Sequence, residues 1–421
     1  MKVALVNTNR FIEPPVIPVG IEYLHVPLEE AGHEVTALDL AFRENPLEKL
    51  ISFLEAEKPE VIGFSVRNVD TTIMAGNIFF LEDVSRFVSL AKECTDAITV
   101  AGGSSTLCSG HALAEKLGVD YLIQGPGEIA FPALLEAINS KASIPRVLDG
   151  WSFGAPPDIT HKRGDLFSYR KYIDRKAPAG IEFKKGCSRS CSFCLEREKP
   201  IFIRSIENVI KEARELASLG IEMFFFCDSE VNLDFDNTIK TLRALAEEDL
   251  GVPWTGYFIP KPFDPLMAHL TSRTGCRLAT VSVTSWELSE GSPYTKEDLS
   301  SFCELCSSEG IKVAVDLLVG APAEPLDSIE QAFEACASAK PDTIGVNSSI
   351  RLYEGLPITE EALKPSAKGF ISGKLDDNPG LLEPVWFSKV DHEWLIEKIG
   401  SDPLFVIEGE SAKRTVNYER I

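Results

Sequence analysis

The sequence predicts an α/β protein built from a doubly wound parallel sheet, a partial (β/α)6 barrel and a short C-terminal segment. Short apolar strands alternate with amphipathic helices from the first residues onward. The alternation restarts after a stretch rich in proline and glycine, "IPRVLDGWSFGAPPDITHKRG", and it fades after Pro357. We therefore predict a first domain over residues 1–145, a linker over 146–180, a barrel over 181–357 and a C-terminal cap segment over 358–421.

Five strands and five helices are predicted in the first domain. The strands are "KVALVNT", "HEVTALDL", "EVIGFSV", "AITVAGG" and "VDYLIQG". The helices are "GIEYLHVPLEEAG", "LEKLISFLEAEKP", "IFFLEDVSRFVSLAKEC", "HALAEKLG" and "GEIAFPALLEAINS". A parallel sheet of this kind binds its ligand at the carboxyl ends of its strands.

Glycines and polar residues follow the strands of the first domain. Glycine lets the backbone approach a large ligand closely. No G-x-G-x-x-G follows the first strand, so the dinucleotide-binding fingerprint is missing. The candidate ligand-binding residues at these strand ends are Thr8, Ser65, Arg67, Asn68, Gly102, Gly103, Gly125, Gly127 and Glu128.

Six further strands are predicted in the second half of the chain, too few for a closed eight-stranded barrel. They are "GIEFKKG", "IEMFFFCD", "PWTGYFI", "LATVSVTS", "KVAVDLLVGAP" and "TIGVNSSIRLY". The helices between them are "SIENVIKEARELASLG", "FDNTIKTLRALAEED", "LMAHLTSRTG", "KEDLSSFCELCSSEG" and "DSIEQAFEACASAK". In such a barrel the chemistry takes place at the carboxyl ends of the strands.

The composition excludes some classes of partner. The chain has 421 residues, a formal net charge of −22 and a sequence pI near 4.8. This excess of carboxylates argues against binding to nucleic acid or to an anionic membrane. The first residues, "MKVALVNTNR", do not form a signal peptide, and no apolar run reaches the ~18 residues of a membrane span. We expect a cytoplasmic protein with reduced thiols, in which clustered cysteines are metal ligands or catalysts.

Three cysteines lie within eleven residues, in the stretch "GCSRSCSFCLE". Cys187, Cys191 and Cys194 have the spacing C-x₃-C-x₂-C, and a structural zinc site would need a fourth ligand. The nearest histidines are distant, whereas an iron–sulfur cluster held by three thiolates would keep one iron free for a substrate or cofactor. The alternative is a loop of structural cysteines. The CxxC of Cys303 and Cys306 lies in a helical pattern, and it is either structural or metal-binding.

The cysteine motif after the first barrel strand resembles that of the radical S-adenosylmethionine superfamily, including the aromatic Phe193 before the last cysteine. "FFFCDSEVN" and "DLLVGAPAEPLDSIEQAF" are similar to later segments of that family, although Ala323 stands where glycine is usual. "LATVSVTSWE" and "RLYEGLPI" depart further from the family pattern. In the first domain, "IPVGIEYLHVPLEEAGHEVTALDL", "VAGGSS" and "IQGPGEIAFPALLEAI" resemble the Rossmann-like cobalamin-binding domain that precedes many of these enzymes. The D-x-H-x-x-G stretch that supplies a histidine to cobalt in other cobalamin proteins is absent.

The resemblance to cobalamin-dependent (class B) radical S-adenosylmethionine enzymes implies three cofactors: a [4Fe-4S] cluster, S-adenosylmethionine and cobalamin. It implies that the three motif cysteines hold the cluster and that the strand-end residues of the first domain contact cobalamin. Arg67 either pairs with a phosphate or propionamide of cobalamin or is an ordinary surface arginine. The residues implied at the S-adenosylmethionine site are Phe193, Asp228, Glu230, Gly320 and Pro322, and those implied to face substrate are Arg351 and Tyr353.

Plain structural roles remain open for several of these residues. Asp228 and Glu230 could each cap the following turn, and Gly320 and Pro322 could shape an ordinary turn. The segment after Pro357 matches no family pattern.

The activity implied by the resemblance is C-methylation. A 5′-deoxyadenosyl radical would remove hydrogen from an unreactive carbon, which would then collect a methyl group carried from a second S-adenosylmethionine by cobalamin. The acceptor could be a protein or peptide residue, such as the glutamine of methyl-coenzyme M reductase, or a small molecule. The reductant would be a ferredoxin or flavodoxin. The alternatives are a radical rearrangement, cyclisation or epimerisation, and a non-catalytic sensor of cobalamin and cluster.

Overall fold

The computed structural model describes residues 1–288 and 292–407, and it confirms the α/β class with two parallel sheets. The first sheet has six strands in the order β2-β1-β3-β4-β5-β6, all parallel. Its strands are β1 (Lys2–Asn7), β2 (Glu34–Asp39), β3 (Val61–Ser65), β4 (Ile98–Gly102), β5 (Tyr121–Gln124) and β6 (Val147–Asp149). The helices between them are α1 (Val19–Glu30), α2 (Pro46–Glu57), α3 (Leu81–Cys94), α4 (Gly110–Leu117) and α5 (Gly127–Ser140).

Helix α3 shows why these segments fold onto the sheet. Its buried side chains are Leu81, Val84, Phe87, Val88 and Ala91, which recur at the three- and four-residue spacing of one helix face. Burying each of the larger apolar side chains stabilises the fold by about 1.5–3 kcal/mol. Acidic residues in the first turn and a lysine in the last turn complement the helix dipole.

The structure adds one strand to the predicted first sheet. Strand β6 lies at the sheet edge beyond residue 145, in the segment predicted as linker. Only three residues form it, so the sequence offers too short a pattern to predict a strand there. The rest of the linker contains a short 3-10 helix (Gly150–Phe153) and one short α-helix, α6 (Arg170–Ile173), before the first barrel strand.

The second sheet is a partial barrel of seven parallel strands in the order β18-β14-β13-β12-β11-β10-β7. The strands are β7 (Ala179–Ile181), β10 (Phe224–Phe226), β11 (Trp254–Phe258), β12 (Cys276–Thr284), β13 (Lys312–Leu318), β14 (Thr343–Asn347) and β18 (Phe405–Ile407). The helices packed against it are α7 (Ile206–Ser218), α8 (Phe235–Glu248), α9 (Pro265–Arg273), α10 (Lys296–Ser308), α11 (Leu326–Ser338) and α13 (His392–Ile399). The six predicted strands are present, and β18 comes from the segment predicted as a cap.

Two smaller sheets complete the fold. The strands β8 (Lys184–Lys185) and β9 (Phe202–Ile203) pair antiparallel and enclose the cysteine loop. An antiparallel sheet of order β15-β17-β16 follows the barrel, and its elements are β15 (Ser349–Arg351), α12 (Pro357–Ala362), β16 (Phe370–Ser372) and β17 (Trp386–Ser388). Its buried side chains Ile350 and Phe387 share one apolar core with Val66 and Val69 of the first domain. This small sheet therefore packs against the first domain.

A buried ionic cluster lies at the interface between the first domain, the linker and the barrel. The guanidinium of Arg163, in the linker, lies 2.7 Å from the Glu22 carboxylate of α1, and it also contacts Glu212 of α7. All three side chains are fully buried. Breaking such a buried pair by removing one partner costs about 3–5 kcal/mol, because it leaves an uncompensated charge. None of the helices in the described part of the chain is long and apolar enough to span a bilayer.

Candidate active site at the facing sheet edges

The cysteine loop lies at the carboxyl end of β7, between the two strands of the short hairpin. Its shape is held by backbone hydrogen bonds from Lys199 N to Cys187 O, at 2.8 Å, and from Glu198 N to Arg189 O, at 2.8 Å. Gly186 starts the loop with a φ of +92°, and a Cβ there would lie 2.0 Å from a backbone carbonyl oxygen. Only glycine fits this position, because it needs both a left-handed conformation and a very close backbone approach.

The three motif cysteines are free thiols that share this loop. Cys187 is buried, and Cys191 and Cys194 are partly exposed. Burial raises the pKa of all three thiols, to about 11 for Cys191 and about 12 for Cys194. Without metal they are therefore protonated at neutral pH, and iron would have to displace the protons.

The kind of metal site is limited by how many candidate ligands lie together. Among the described residues, no three histidine, cysteine or acidic side chains converge closely enough to hold a single metal ion. A zinc ion would draw each sulfur to ~2.3 Å from one point. A cluster instead binds each cysteine through a separate iron, so three thiols on one loop suit it. The assignment of Cys187, Cys191 and Cys194 as cluster ligands stays a prediction that this geometry fits.

Asp228 and Glu230, the two acidic candidates beside the cysteine loop, differ in their hydrogen bonding. Asp228 accepts three hydrogen bonds: from Phe183 N at 3.0 Å, from Lys184 N at 2.9 Å and from Lys184 Nζ at 3.0 Å. Its carboxylate therefore anchors the start of β8. Glu230 is also buried, yet its Oε2 atom has no hydrogen-bond partner within residues 1–288 and 292–407. Burial raises the pKa of Glu230 to about 8, although Arg189 and Lys184 oppose the shift. Glu230 is therefore the candidate for meeting a ligand ammonium group.

Two loops border the cysteine loop from the barrel side. Phe193 meets the edge of Trp286 with ring centroids 6.0 Å apart. Trp286 follows β12 in the segment that departs from the family pattern, and sequence reasoning did not select it. This aromatic pair could flank a planar group such as adenine.

The turn after β13 is fixed by one carboxylate that sequence reasoning also missed. Glu324 Oε2 accepts hydrogen bonds from Gly320 N, Ala321 N and Ser285 Oγ at 2.9, 3.1 and 2.8 Å. Gly320 has a φ of +91°, and Pro322 O accepts a hydrogen bond from Lys389 Nζ at 2.9 Å. Gly320 and Pro322 thus form a rigid turn next to the site, and their contact with an adenosyl group stays a prediction.

The strand-end residues of the first domain form the opposite wall. Thr8 is buried and donates a hydrogen bond from Oγ1 to Ser65 O at 2.6 Å, which ties the ends of β1 and β3 together. A small open cleft lies at these ends, lined in part by Thr8, Arg67 and Asn68. This group of predicted cobalamin residues therefore does meet in space.

The glycines at the strand ends of the first domain allow close packing of the loops that contain them. Gly103 has a φ of +114°, and a Cβ on it would lie 2.6 Å from Val66 O. Gly125 has a φ of +80°, and a Cβ on it would lie 2.3 Å from Trp151 Nε1. Gly102 ends β4, and Gly127 begins α5. These contacts explain the glycines structurally, and their predicted role at cobalamin stays untested.

One ion pair joins the cysteine-loop side of the barrel to the first domain. Lys185 Nζ, next to the cysteine loop, lies 2.7 Å from Glu128 Oε1 at the start of α5 and 3.3 Å from Glu182 Oε2. Burial raises the pKa of the Cys227 thiol, which directly follows β10, and the charge of Arg67 in the first domain weakly opposes this rise. The carboxyl edges of the two sheets are therefore in contact at this point.

The two residues predicted to face substrate are engaged elsewhere. Arg351 is buried, and its Nε donates to Asp70 Oδ2 at 2.8 Å. Its terminal nitrogens donate to the backbone carbonyls of Leu352 and Leu382. The guanidinium lies 4.4 Å from the centroid of the Tyr353 ring, which is buried as well. These contacts give Arg351 and Tyr353 a structural role at the seam with the first domain, and the prediction that they face substrate has no support from the geometry.

The interior of the barrel holds polar residues that sequence reasoning passed over. They include Tyr257 on β11, Ser282 on β12 and Asp316 on β13, all partly exposed. A signal for the last was available, because a charged residue inside the apolar run "KVAVDLLV" is unusual for a buried strand. Cys303 and Cys306, by contrast, are buried in the apolar core, which favours their structural interpretation.

Comparison with known proteins identifies both large units. Residues 10–135 match the family model described as the B12 binding domain, and residues 181–336 match the Radical SAM superfamily. The chain is 25% identical over 441 residues to the tryptophan 2-C-methyltransferase of Streptomyces laurentii, which covers 84% of this chain and 73% of that protein. It is also 25% identical over 275 residues to the hopanoid C-3 methylase of Methylococcus capsulatus, covering 59% of this chain but only 50% of that protein.

The solved structure of the radical S-adenosylmethionine methyltransferase TsrM from Kitasatospora setae has the same fold. With cobalamin and a [4Fe-4S] cluster bound it matches 90% of this chain and 81% of its own, with a TM-score of 0.81 and 26% identity. A second structure of TsrM, with tryptophan and a S-adenosylmethionine analogue bound, gives a TM-score of 0.80 at 26% identity, over 90% of this chain and 79% of its own. The predicted family, fold class and set of three cofactors are thereby confirmed. The chain belongs to the cobalamin-dependent radical S-adenosylmethionine enzymes, a family that includes these C-methyltransferases.

Proposed function

We propose that this enzyme transfers a methyl group from S-adenosylmethionine, by way of cobalamin, to an unactivated carbon atom of a small molecule. The observation that carries the proposal is the contact between the two sheet edges, where Lys185 beside the cysteine loop meets Glu128 of the first domain at 2.7 Å. A methyl carrier on one wall and a cluster on the other would both reach an acceptor held between them.

When bound, the cofactors supply the electron, the methyl group and the carbon-centred radical chemistry, and the protein supplies position and exclusion of water. Cys187, Cys191 and Cys194 would hold the cluster. The buried Oε2 of Glu230, which lacks a partner in the described chain, would accept a hydrogen bond from the amino group of S-adenosylmethionine. Phe193 and Trp286 would flank its adenine.

The first domain would hold cobalamin on the loops after its strands. Thr8, Arg67 and Asn68 line the cleft at the ends of β1 and β3, and Gly103 and Gly125 allow the backbone to come close. No histidine stands at the D-x-H-x-x-G position, so we propose that side chains and backbone groups hold the cofactor without a histidine ligand to cobalt.

A small acceptor is better supported than a protein residue. The relatives reported above carry names that place their methylation on tryptophan and on a hopanoid. A glutamine of methyl-coenzyme M reductase has no comparable support. A one-electron donor such as ferredoxin or flavodoxin would supply the reducing equivalent.

The test is product analysis by mass spectrometry after anaerobic reconstitution with iron, sulfide and cobalamin. S-adenosylhomocysteine and 5′-deoxyadenosine together, with two S-adenosylmethionine molecules consumed per methylated product, would support radical methyl transfer. S-adenosylhomocysteine without 5′-deoxyadenosine would keep methyl transfer and refute the radical step.

Two other outcomes would favour the alternative functions. Production of 5′-deoxyadenosine without S-adenosylhomocysteine would favour a rearrangement, cyclisation or epimerisation. Neither product, with cluster and cobalamin shown to be bound, would favour a sensor.

A further inference from the structure

The cysteine loop carries a largely buried arginine. Arg189 lies between Cys187 and Cys191, and only 13% of its side chain is exposed. Its backbone carbonyl accepts the hydrogen bond from Glu198 N, so its main chain is fixed. An arginine is rarely buried to this extent unless its charge is paired. The position of the charge therefore depends on the residues that contact the guanidinium.

Glu287, which follows β12, pairs with this guanidinium. Arg189 Nη2 donates a hydrogen bond to Glu287 Oε2 at 3.3 Å. The same oxygen accepts hydrogen bonds from Thr284 Oγ1 at 2.9 Å and from Tyr294 Oη at 3.2 Å. The guanidinium also lies 5.5 Å from the centroid of the Tyr294 ring. These contacts hold the carboxylate, and with it the guanidinium, in one place.

The anchor of this network is the buried Tyr294. It is 1% exposed, and its hydroxyl oxygen accepts a hydrogen bond from Thr284 N at 3.0 Å. Thr284 is the last residue of β12, so the network is fixed to a barrel strand. The contact between Arg189 and Glu287 therefore joins the cysteine loop to β12.

Arg189 supplies positive charge beside one motif cysteine in particular. Burial is the main cause of the raised pKa of Cys191, and the charge of Arg189 opposes this rise more strongly than Glu287 adds to it. The two charges of the ion pair therefore do not cancel at this sulfur. A thiolate, or a metal group that gains negative charge here, is stabilised by the guanidinium.

Carboxylates act in the opposite direction on another part of the loop. The charges of Glu230 and Glu196 each raise the pKa of Cys187 by more than the charge of Arg189 lowers it. Lys184 offsets part of the charge of Glu230. The net charge around an iron–sulfur cluster is one of the factors that set its reduction potential. The acidic groups disfavour uptake of an electron, and Arg189 opposes them.

Resting on the assignment of the three motif cysteines as cluster ligands in the proposed function, we infer that Arg189 raises the reduction potential of the cluster. Glu287 is the positioning residue that holds Arg189 beside Cys191. On reduction, the cluster gains one electron from a one-electron donor of the ferredoxin or flavodoxin class, which is oxidised, and no bond forms or breaks. The guanidinium stabilises the added negative charge.

The test is an anaerobic potentiometric titration of the full chain reconstituted with its cluster. Dithionite is the reductant, and the electron paramagnetic resonance signal reports the reduced cluster. In Arg189→Gln, the ratio of reduced to oxidised cluster at a fixed potential should fall at least about tenfold, a shift of about 59 mV for one electron. Arg189→Lys keeps the positive charge and should stay closer to the wild type.

The partner variant should shift the potential in the opposite direction. In Glu287→Gln the ratio of reduced to oxidised cluster should rise, because the amide oxygen can still accept from Arg189 while the negative charge is gone. The double variant, which lacks both charges, should lie between the two single variants. The matched control is Arg214→Gln, which removes an arginine from an exposed ion pair with Glu248 and should leave the potential unchanged.

A purely structural role of the ion pair would move both single variants in the same direction. That result, or potentials equal to that of the wild type, would overturn the inference. If Arg189→Gln does not retain a cluster, Glu287→Gln decides alone, because a potential that does not rise in it contradicts the reasoning. Iron and sulfide are measured before each titration. A wild type that holds no cluster would overturn the proposed function as well, whereas a loaded cluster that ignores both charges would overturn the inference only.

Discussion

Replacing Glu230 by glutamine should make the cofactor-free protein more stable at alkaline pH. The Glu230 side chain is 9% exposed, and burial raises its pKa from 4.5 to about 8. The folded protein therefore binds this proton more tightly than the unfolded chain does. The resulting stabilisation is complete below about pH 4.5 and is lost as the pH rises toward about 8.

The size of the expected stability difference follows from how far the pKa of Glu230 is raised. A rise from 4.5 to about 8 disfavours the ionised form by about 5 kcal/mol, and we expect 2–5 kcal/mol after the protein relaxes. Glutamine has nearly the same shape and stays neutral. The free energy of unfolding of Glu230→Gln should therefore be about 2–5 kcal/mol higher than that of the wild type at pH 9. At pH 4.5 the two proteins should be about equally stable.

The assay is urea unfolding of the reduced, cofactor-free protein at pH 4.5, 7 and 9. Glu393→Gln is the matched control, because Glu393 is exposed and its replacement should leave the pH profile unchanged. After reconstitution, Glu230→Gln should bind S-adenosylmethionine more weakly, since the ligand amino group loses a carboxyl partner that can ionise. A variant no more stable than the wild type at pH 9 would refute the assignment of Glu230 as a buried, unpaired carboxyl.

Three further changes test the site. Cys191→Ala should lose the visible absorbance of the cluster and the cleavage of S-adenosylmethionine, whereas Cys303→Ala, in the apolar core, should keep both. Lys185→Met should lower the free energy of unfolding by about 1–3 kcal/mol, and a double-mutant cycle with Glu128→Gln should return coupling between these two side chains. Gly186→Ala should prevent cluster incorporation, since its φ is +92° and a backbone carbonyl lies 2.0 Å from the added carbon.

For each of these predictions, one outcome would contradict the reasoning. A cluster retained in Cys191→Ala would mean that the loop does not supply the ligand set. Additive effects of Lys185→Met and Glu128→Gln would mean that the bond across the seam contributes nothing measurable. Normal cluster loading in Gly186→Ala would show that the loop can shift to accept a side chain.

Much of the fold could be predicted because its signals are local. The alternation of strands and helices, the cysteine spacing and the glycines at strand ends all lie within short windows of sequence. Strands β6 and β18 escaped prediction because each has three residues and gains its stability from a neighbouring strand far away in the chain. Their pattern becomes recognisable only once that neighbour is in place.

The site was harder to predict where its residues depend on partners. Glu230 and Asp228 look equivalent in "FFFCDSEVN", and only the bonds from Lys184 to Asp228 separate them. Arg351 looked available at the end of a strand, yet its partner Asp70 lies 281 residues earlier in the chain. A single sequence carries no signal for such a distant pair.

The apolar core shared by the first domain and the C-terminal segment has a consequence for the folding unit. Leu382 and Phe387 belong to the same apolar core as Val66 and Val69, so the first domain meets part of its core only after most of the chain has been synthesised. A fragment ending at residue 145 should therefore expose apolar surface and be prone to aggregate. The cobalamin-binding half is not a module that could be transplanted alone, since its last core residues are encoded at the far end of the chain.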